Sequence, residues 1–164
     1  MALERPSFPT IYMTLAQALA SRSTCRWGRV GCVITSVDFR KVLAIGYRGN
    51  ATGLPNRCDR DSEDCGCLHA EENAVIHCDA PRGEPKIVLT SKLPCRACAK
   101  RLINLGGVQD LYVAEGALSA PIGPAGVHGD LARVGDLLGM VGIRVHSVAG
   151  DPATDDAPVG DPAS

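Results

Sequence analysis

Two hydrophobic periods alternate along this chain, and the switches between them mark out nine segments. From Pro9 to about Arg22, the positions Ile11, Leu15, Ala18 and Leu19 fall on one helical face, with Ser7 as the N-cap. Val30 to Val37 is apolar and rich in β-branched residues, which predicts a buried strand. Asp38-Phe39-Arg40-Lys41 reads as a hairpin turn, and Val42 to Tyr47 as the return strand. A helical pattern runs from His69 to about Asp79 and is stopped by Pro81 and Gly83. Ile87 to Ser91 is the next strand, and Cys95 to about Leu105 the next helix, closed by Gly106-Gly107. Leu111 to Ala114 (strand), Leu131 to Met140 (helix) and Ile143 to Val148 (strand) complete the pattern.

The stretches between these segments are uneven. Residues 1–8 read as an arm, 48–68 as a long irregular segment and 115–129 as a surface loop rich in Gly and Pro. A loop as long as 48–68 inside a domain is usually functional or tied down, and the three cysteines in its second half suggest the tie. A helix, a hairpin, and then alternating helix and strand predict a three-layer α/β/α sandwich with a mixed sheet of about five strands. No internal repeat is visible, so residues 1–149 are expected to form one catalytic domain. Residues 150–164 hold three prolines, four aspartates and no Lys, Arg or aromatic residue, and are expected to be disordered.

Composition narrows the class. At 164 residues and 45% apolar, the chain is long enough for one sizeable core. A formal charge of −1 gives no basic field, so nucleic acid is not expected as a partner. No apolar run of about 18 residues occurs, so no membrane contact is expected, and the N-terminus lacks a signal-peptide layout. A cytoplasmic location is the default that follows. In that setting eight cysteines point to metal ligation rather than to a disulfide framework. Cys32 and Cys78 lie in apolar runs and read as core fillers.

The chemistry concentrates in His69-Ala70-Glu71 and Cys95-Arg96-Ala97-Cys98. Catalytic zinc takes three protein ligands of the Cys and His type and keeps a fourth position for water. Cys95 and Cys98, three apart at a helix start, share one face, where the helix dipole favours thiolates. His69 opens the preceding helix and completes the set, while Glu71 is placed to handle protons. A lone CxxC is often structural, and a lone His-x-Glu is weak. In this order, with a strand between them, they predict a catalytic zinc. Cys25, Cys58, Cys65 and Cys67 are four further thiols. A closed structural zinc would pin the long loop to the first helix. Free surface thiols, or His77 replacing one cysteine, remain the alternatives.

These residues resemble the zinc-dependent deoxycytidylate deaminases of the cytidine deaminase superfamily, whose His-x-Glu and Pro-Cys-x-x-Cys signature they carry. The likeness extends to Ser21 to Cys25 with Arg29-Val30-Gly31, to Gly46-Tyr47-Arg48-Gly49 with Gly53-Leu54-Pro55, and to His69 to Ala74. It continues through Pro94 to Lys100 and on to Leu137 to Ile143. Asn73 is typical of the deoxycytidylate branch. The resemblance implies hydrolytic deamination of a cytosine nucleotide, dCMP to dUMP plus ammonia. Zinc-activated hydroxide would attack C4 of cytosine and Glu71 would shuttle protons. It also implies His69, Cys95 and Cys98 as ligands of one catalytic zinc, and places Cys25, Cys58 and Cys67 where some members hold a second, structural one. Cys65 as the fourth ligand follows from its proximity. A homo-oligomer (dimer, tetramer or hexamer) is implied too.

Arg48 and Ala51 depart from the family pattern, which has Asn and Pro there. An arginine in this loop can grip phosphate in a bidentate manner. Tyr47, Arg48, Asn50, Ser91 and Lys92 are the expected substrate-binding residues, with Trp27 and Arg96 as further candidates. The competing readings are deamination of another nucleotide, a nucleoside or a free base (a modified pyrimidine or guanine), and a non-catalytic zinc-stabilised binding module. A tRNA adenosine deaminase would need a basic groove for RNA, and this chain is nearly neutral.

Overall fold

Local rules account for the first helix. Ser7 is extended, its Oγ accepts the Thr10 N–H, and Pro9 sits in the first turn, where no amide donor is missed. The computed structural model describes residues 5–59, 65–117 and 131–150. Among them nine elements follow in chain order: α1 (Phe8–Ala20), β1 (Gly31–Ser36), β2 (Val42–Tyr47), α2 (Ala70–Ile76) and β3 (Lys86–Thr90), then α3 (Arg96–Leu105), β4 (Val108–Ala114), α4 (Leu131–Gly139) and β5 (Arg144–Val148). Type and order agree with the sequence pattern throughout. The expectations for the tail 150–164, apart from Gly150, and for most of the 115–129 loop lie outside the described residues.

One five-stranded sheet runs in the order β2-β1-β3-β4-β5. β1 pairs antiparallel with both β2 and β3, whereas β3, β4 and β5 run parallel. The sheet is therefore mixed, and its face-to-face packing makes the three layers expected. On one face, α1 sends Met13, Ala16 and Leu19 against Val33, Ile87, Leu89 and Ala114. On the other, Ala70 and Ala74 of α2, Ala99 and Leu102 of α3, and Val134 and Leu138 of α4 cover Cys32, Ile34, Val88, Leu111 and Val113. β1 and β3 carry buried residues on both faces, which is why their sequences show no alternation.

Two glycines set how closely the helices approach the sheet. A Cβ on Gly31 would lie 1.9 Å from the Ala16 carbonyl oxygen of α1. One on Gly46 would lie 2.2 Å from the Ala70 carbonyl oxygen and 2.6 Å from the Ala74 nitrogen of α2. Backbone thus meets backbone at both contacts, and only a missing side chain permits it.

Four strand starts differ from the sequence reading, two of them for one shared reason. β3 begins at Lys86, not Ile87, and β4 at Val108, not Leu111. Lys86 and Asp110 interrupt the apolar pattern, yet both are buried because the fold gives each a set of polar partners. Lys86 Nζ donates to the carbonyls of Pro81 (2.5 Å), Glu84 (2.7 Å) and Gly106 (3.3 Å). Asp110 takes two 2.8 Å bonds from the Arg144 guanidinium and one of 2.7 Å from His146 Nε2. Cys32 is fully buried and Cys78 packs on the same core, as their apolar settings predicted.

Candidate metal centres

Both chemical segments enter the molecule at helix N-termini. His69 is the N-cap of α2, and the Glu72 carboxylate accepts its backbone N–H while pairing with Arg101 of α3 at 3.0 Å. Cys95 is the N-cap of α3 rather than a residue of its first turn, because its sulfur takes the Cys98 N–H in the manner of a capping hydroxyl. The result is one cluster. His69 Nδ1 lies 3.6 Å from Cys95 Sγ and 3.4 Å from Cys98 Sγ. A tetrahedral zinc with ordinary Zn–N and Zn–S bonds separates such donors by about 3.5 Å. The three side chains therefore fit zinc through the Nδ1 nitrogen, with one tetrahedral position free of protein ligands.

The two thiols form a tightly bonded pair. The hydrogen bond from Cys98, together with His69, pushes Cys95 down to about 3, so Cys95 is a thiolate at neutral pH. The proton retained by that pair sits on Cys98, whose thiol is raised by the same bond and by burial. Glu71 is buried beside them and accepts a hydrogen bond from Thr90 Oγ1 at 3.4 Å. Burial raises its carboxyl above the ordinary range, against the pull of its own backbone amide and of His69. Thr90 was absent from the sequence-based candidates. Its signal was its place at the carboxyl end of β3, facing the start of α2.

A second cluster is built from the loop ahead of His69. Cys25, Cys58, Cys65 and Cys67 bring their four sulfurs within 4.8 Å of one another. The separations Cys25–Cys65, Cys25–Cys58 and Cys58–Cys67 are 3.6, 3.8 and 3.7 Å. Four sulfurs around a zinc at ordinary Zn–S bond length stand about 3.8 Å apart. Backbone amides point at them as well: Arg26 N–H at Cys58 (3.4 Å), Trp27 N–H at Cys25 and Cys67 N–H at Cys65. Burial pushes the Cys25 thiol up to about 11 and also raises Cys67. Burial works against Cys65 too, yet the bonds from Cys67, Cys25 and Cys58 bring it below its usual value. His77 lies elsewhere, at the C-terminus of α2, with Nδ1 2.7 Å from the Asn73 carbonyl oxygen.

The expected substrate residues are placed unequally. Tyr47 and Asn50 border a cavity of ≈ 420 Å³ between β2 and α2, together with Asn73 and His77 and without any metal-ligating side chain. Asn73 Nδ2 holds the Tyr47 carbonyl at 2.9 Å, which gives that asparagine a job in joining α2 to β2. The Asn50 amide donates to Pro55 O, Arg57 O and Asp59 Oδ1, so it organises its own loop. Ser91 is buried, and its hydroxyl accepts the Gly31 N–H at 3.0 Å. Lys92 and Arg96 are exposed, as is Trp27. Arg48 is half-buried beside both clusters.

A mixed sheet with two helix N-termini presenting one imidazole, two thiols and a buried carboxylate defines a zinc-site α/β protein. Residues 7–115 match the model of the cytidine and deoxycytidylate deaminase zinc-binding region, and the chain belongs to that family. It is 38% identical over 122 residues to a deoxycytidylate deaminase of Saccharomyces cerevisiae, covering 67% of this chain and 38% of the yeast protein. It is 34% identical over 122 residues to that of Schizosaccharomyces pombe, covering 66% and 37%. The match thus spans less than two fifths of the length of these relatives. The fold is that of the dCMP deaminase of cyanophage S-TIM5, solved with dCMP and dUMP, at TM-score 0.70 and 22% identity over 88% of this chain and 99% of the phage chain.

Proposed function

We propose that the protein is a zinc-dependent hydrolytic deaminase that converts a cytosine nucleotide, dCMP foremost, to its uracil counterpart and ammonia. The observation that carries this reading is the buried Glu71 carboxylate set against a three-donor zinc site with an open position. A structural site has no use for such a group, and relatives in the family bear the name deoxycytidylate deaminase.

His69, Cys95 and Cys98 would hold the catalytic zinc, which supplies Lewis-acid activation of water at neutral pH when bound. Glu71 then does the proton work through a carboxylate oxygen. It takes a proton from the attacking water and gives one to the departing amino nitrogen. Thr90 Oγ1 and the α2 N-terminus orient that carboxylate. Tyr47 is the proposed apolar wall for the base, and Lys92, exposed past the end of β3, the proposed phosphate contact. Asn50 and Ser91 shape the substrate side through the loop and ladder bonds they already make. Cys25, Cys58, Cys65 and Cys67 would hold a second, structural zinc, giving two per chain.

The test is ammonia release by the purified protein from dCMP, CMP, dCTP, deoxycytidine, cytosine and guanine. The fastest turnover is expected with dCMP, and no release from any of them sinks the proposal. Glu71→Gln should keep its zinc and lose about 10²- to 10⁴-fold in kcat. Metal analysis should give two zincs, falling to one in Cys58→Ser.

A further inference from the structure

Arg48 is the hub of the loops that build both clusters. Its N–H donates to Val30 O and its carbonyl accepts the Thr24 N–H, so the 24–30 segment closes around it. Nη1 lies 3.1 Å from where a side chain on Gly28 would start. That segment carries Cys25 and the Arg26 N–H that bonds Cys58. The next residue, Gly49, makes both bonds of a bridge to Leu68 (3.1 and 2.8 Å), between Cys67 and His69. The side chain itself makes no hydrogen bond or ion pair among the described residues, and its Nε is buried without a partner. A guanidinium cannot lose its proton, and its one buried N–H is left as an orphan donor that a nearby anion would satisfy.

Two zinc centres offer different charges. A zinc with two thiolates and a neutral imidazole is uncharged overall, whereas a zinc with four thiolates keeps two net negative charges. Of the two metal-and-ligand sets, the second carries the larger negative charge.

We propose that Arg48 is the counter-charge of the four-cysteine zinc centre. This rests on that cluster holding zinc, and it moves Arg48 away from the phosphate-binding role expected from sequence. Outer partners of metal ligands commonly govern affinity by about 10- to 100-fold.

Zinc release to a colorimetric chelator reads this directly, on the zinc-loaded protein and its Arg48→Gln and Arg48→Lys variants. One of the two zincs should leave about 10-fold or more faster from Arg48→Gln, with Arg48→Lys close to wild type. In a Cys58→Ser background, where only the catalytic zinc remains, Arg48→Gln should leave its release unchanged. Unchanged release of both zincs from Arg48→Gln, with KM raised for dCMP but not for deoxycytidine, overturns the inference in favour of a phosphate contact. A single zinc in the wild-type protein removes the four-cysteine centre itself, and the inference with it.

Discussion

Gly46→Ala adds one methyl group on the hidden face of β2, and its effect should reach the chemistry. The new Cβ would meet the Ala70 carbonyl oxygen at 2.2 Å and the Ala74 nitrogen at 2.6 Å, both backbone atoms of α2. No rotamer relieves such a clash, so strand and helix must part by roughly 1 Å to restore ordinary contact. Overpacking of this kind costs about 1–3 kcal/mol, and a backbone-on-backbone contact belongs at the upper end. The displaced residue, Ala70, sits between His69 and Glu71, so the shift moves a ligand and the carboxylate together. A misplacement of about 1 Å can cost around 100-fold in rate. Urea unfolding of the zinc-loaded protein reads the first effect, and ammonia release from dCMP at saturating substrate the second. Gly46→Ala with wild-type stability and wild-type kcat would refute the idea that this close approach fixes α2. Lost stability with intact kcat would show that the site keeps its geometry independently of the sheet.

Three further outcomes are expected. Lys86→Met removes the donor that joins Pro81, Glu84 and Gly106, and should lower unfolding free energy by about 2–4 kcal/mol in urea titration while leaving the zinc content unchanged. Asp110 is held below the usual carboxylate range chiefly by its bonds to Arg144. Its contribution to stability should therefore be complete above about pH 5 and fade as the pH falls through the lowered value, so Asp110→Asn should flatten the acid limb of a urea-midpoint profile. Thr90→Val keeps the shape of β3 but takes away the hydroxyl on Glu71, and should lower kcat by about 10-fold with little change in KM.

The sequence made every element visible because nearly all of them obey local rules. Amphipathic α1 has its Ser7 cap, β1 and β3 are continuous apolar runs, and α3 stops at Gly106. The three-donor cluster was equally legible, since the spacing of Cys95 and Cys98 and the position of His69 at a helix start are local facts. What escaped notice depends on polar partners that only the folded backbone brings into reach. Lys86 and Asp110 read as breaks in strands because carbonyls at 81, 84 and 106, and side chains at 144 and 146, cannot be foreseen from their neighbours. Asn50 and Ser91 looked available to a ligand for the same reason, yet their polar groups already serve the Pro55–Asp59 turn and the β1 start.

The four-cysteine cluster also bears on how this chain tolerates change in length. Cys58 and Cys65 end up side by side, their sulfurs within 4.8 Å, so a metal held by both would crosslink two points seven residues apart in the chain. With both ends fixed at the metal, adding residues between the two cysteines becomes a matter of closure entropy, about 0.6 kcal/mol for each doubling of the loop.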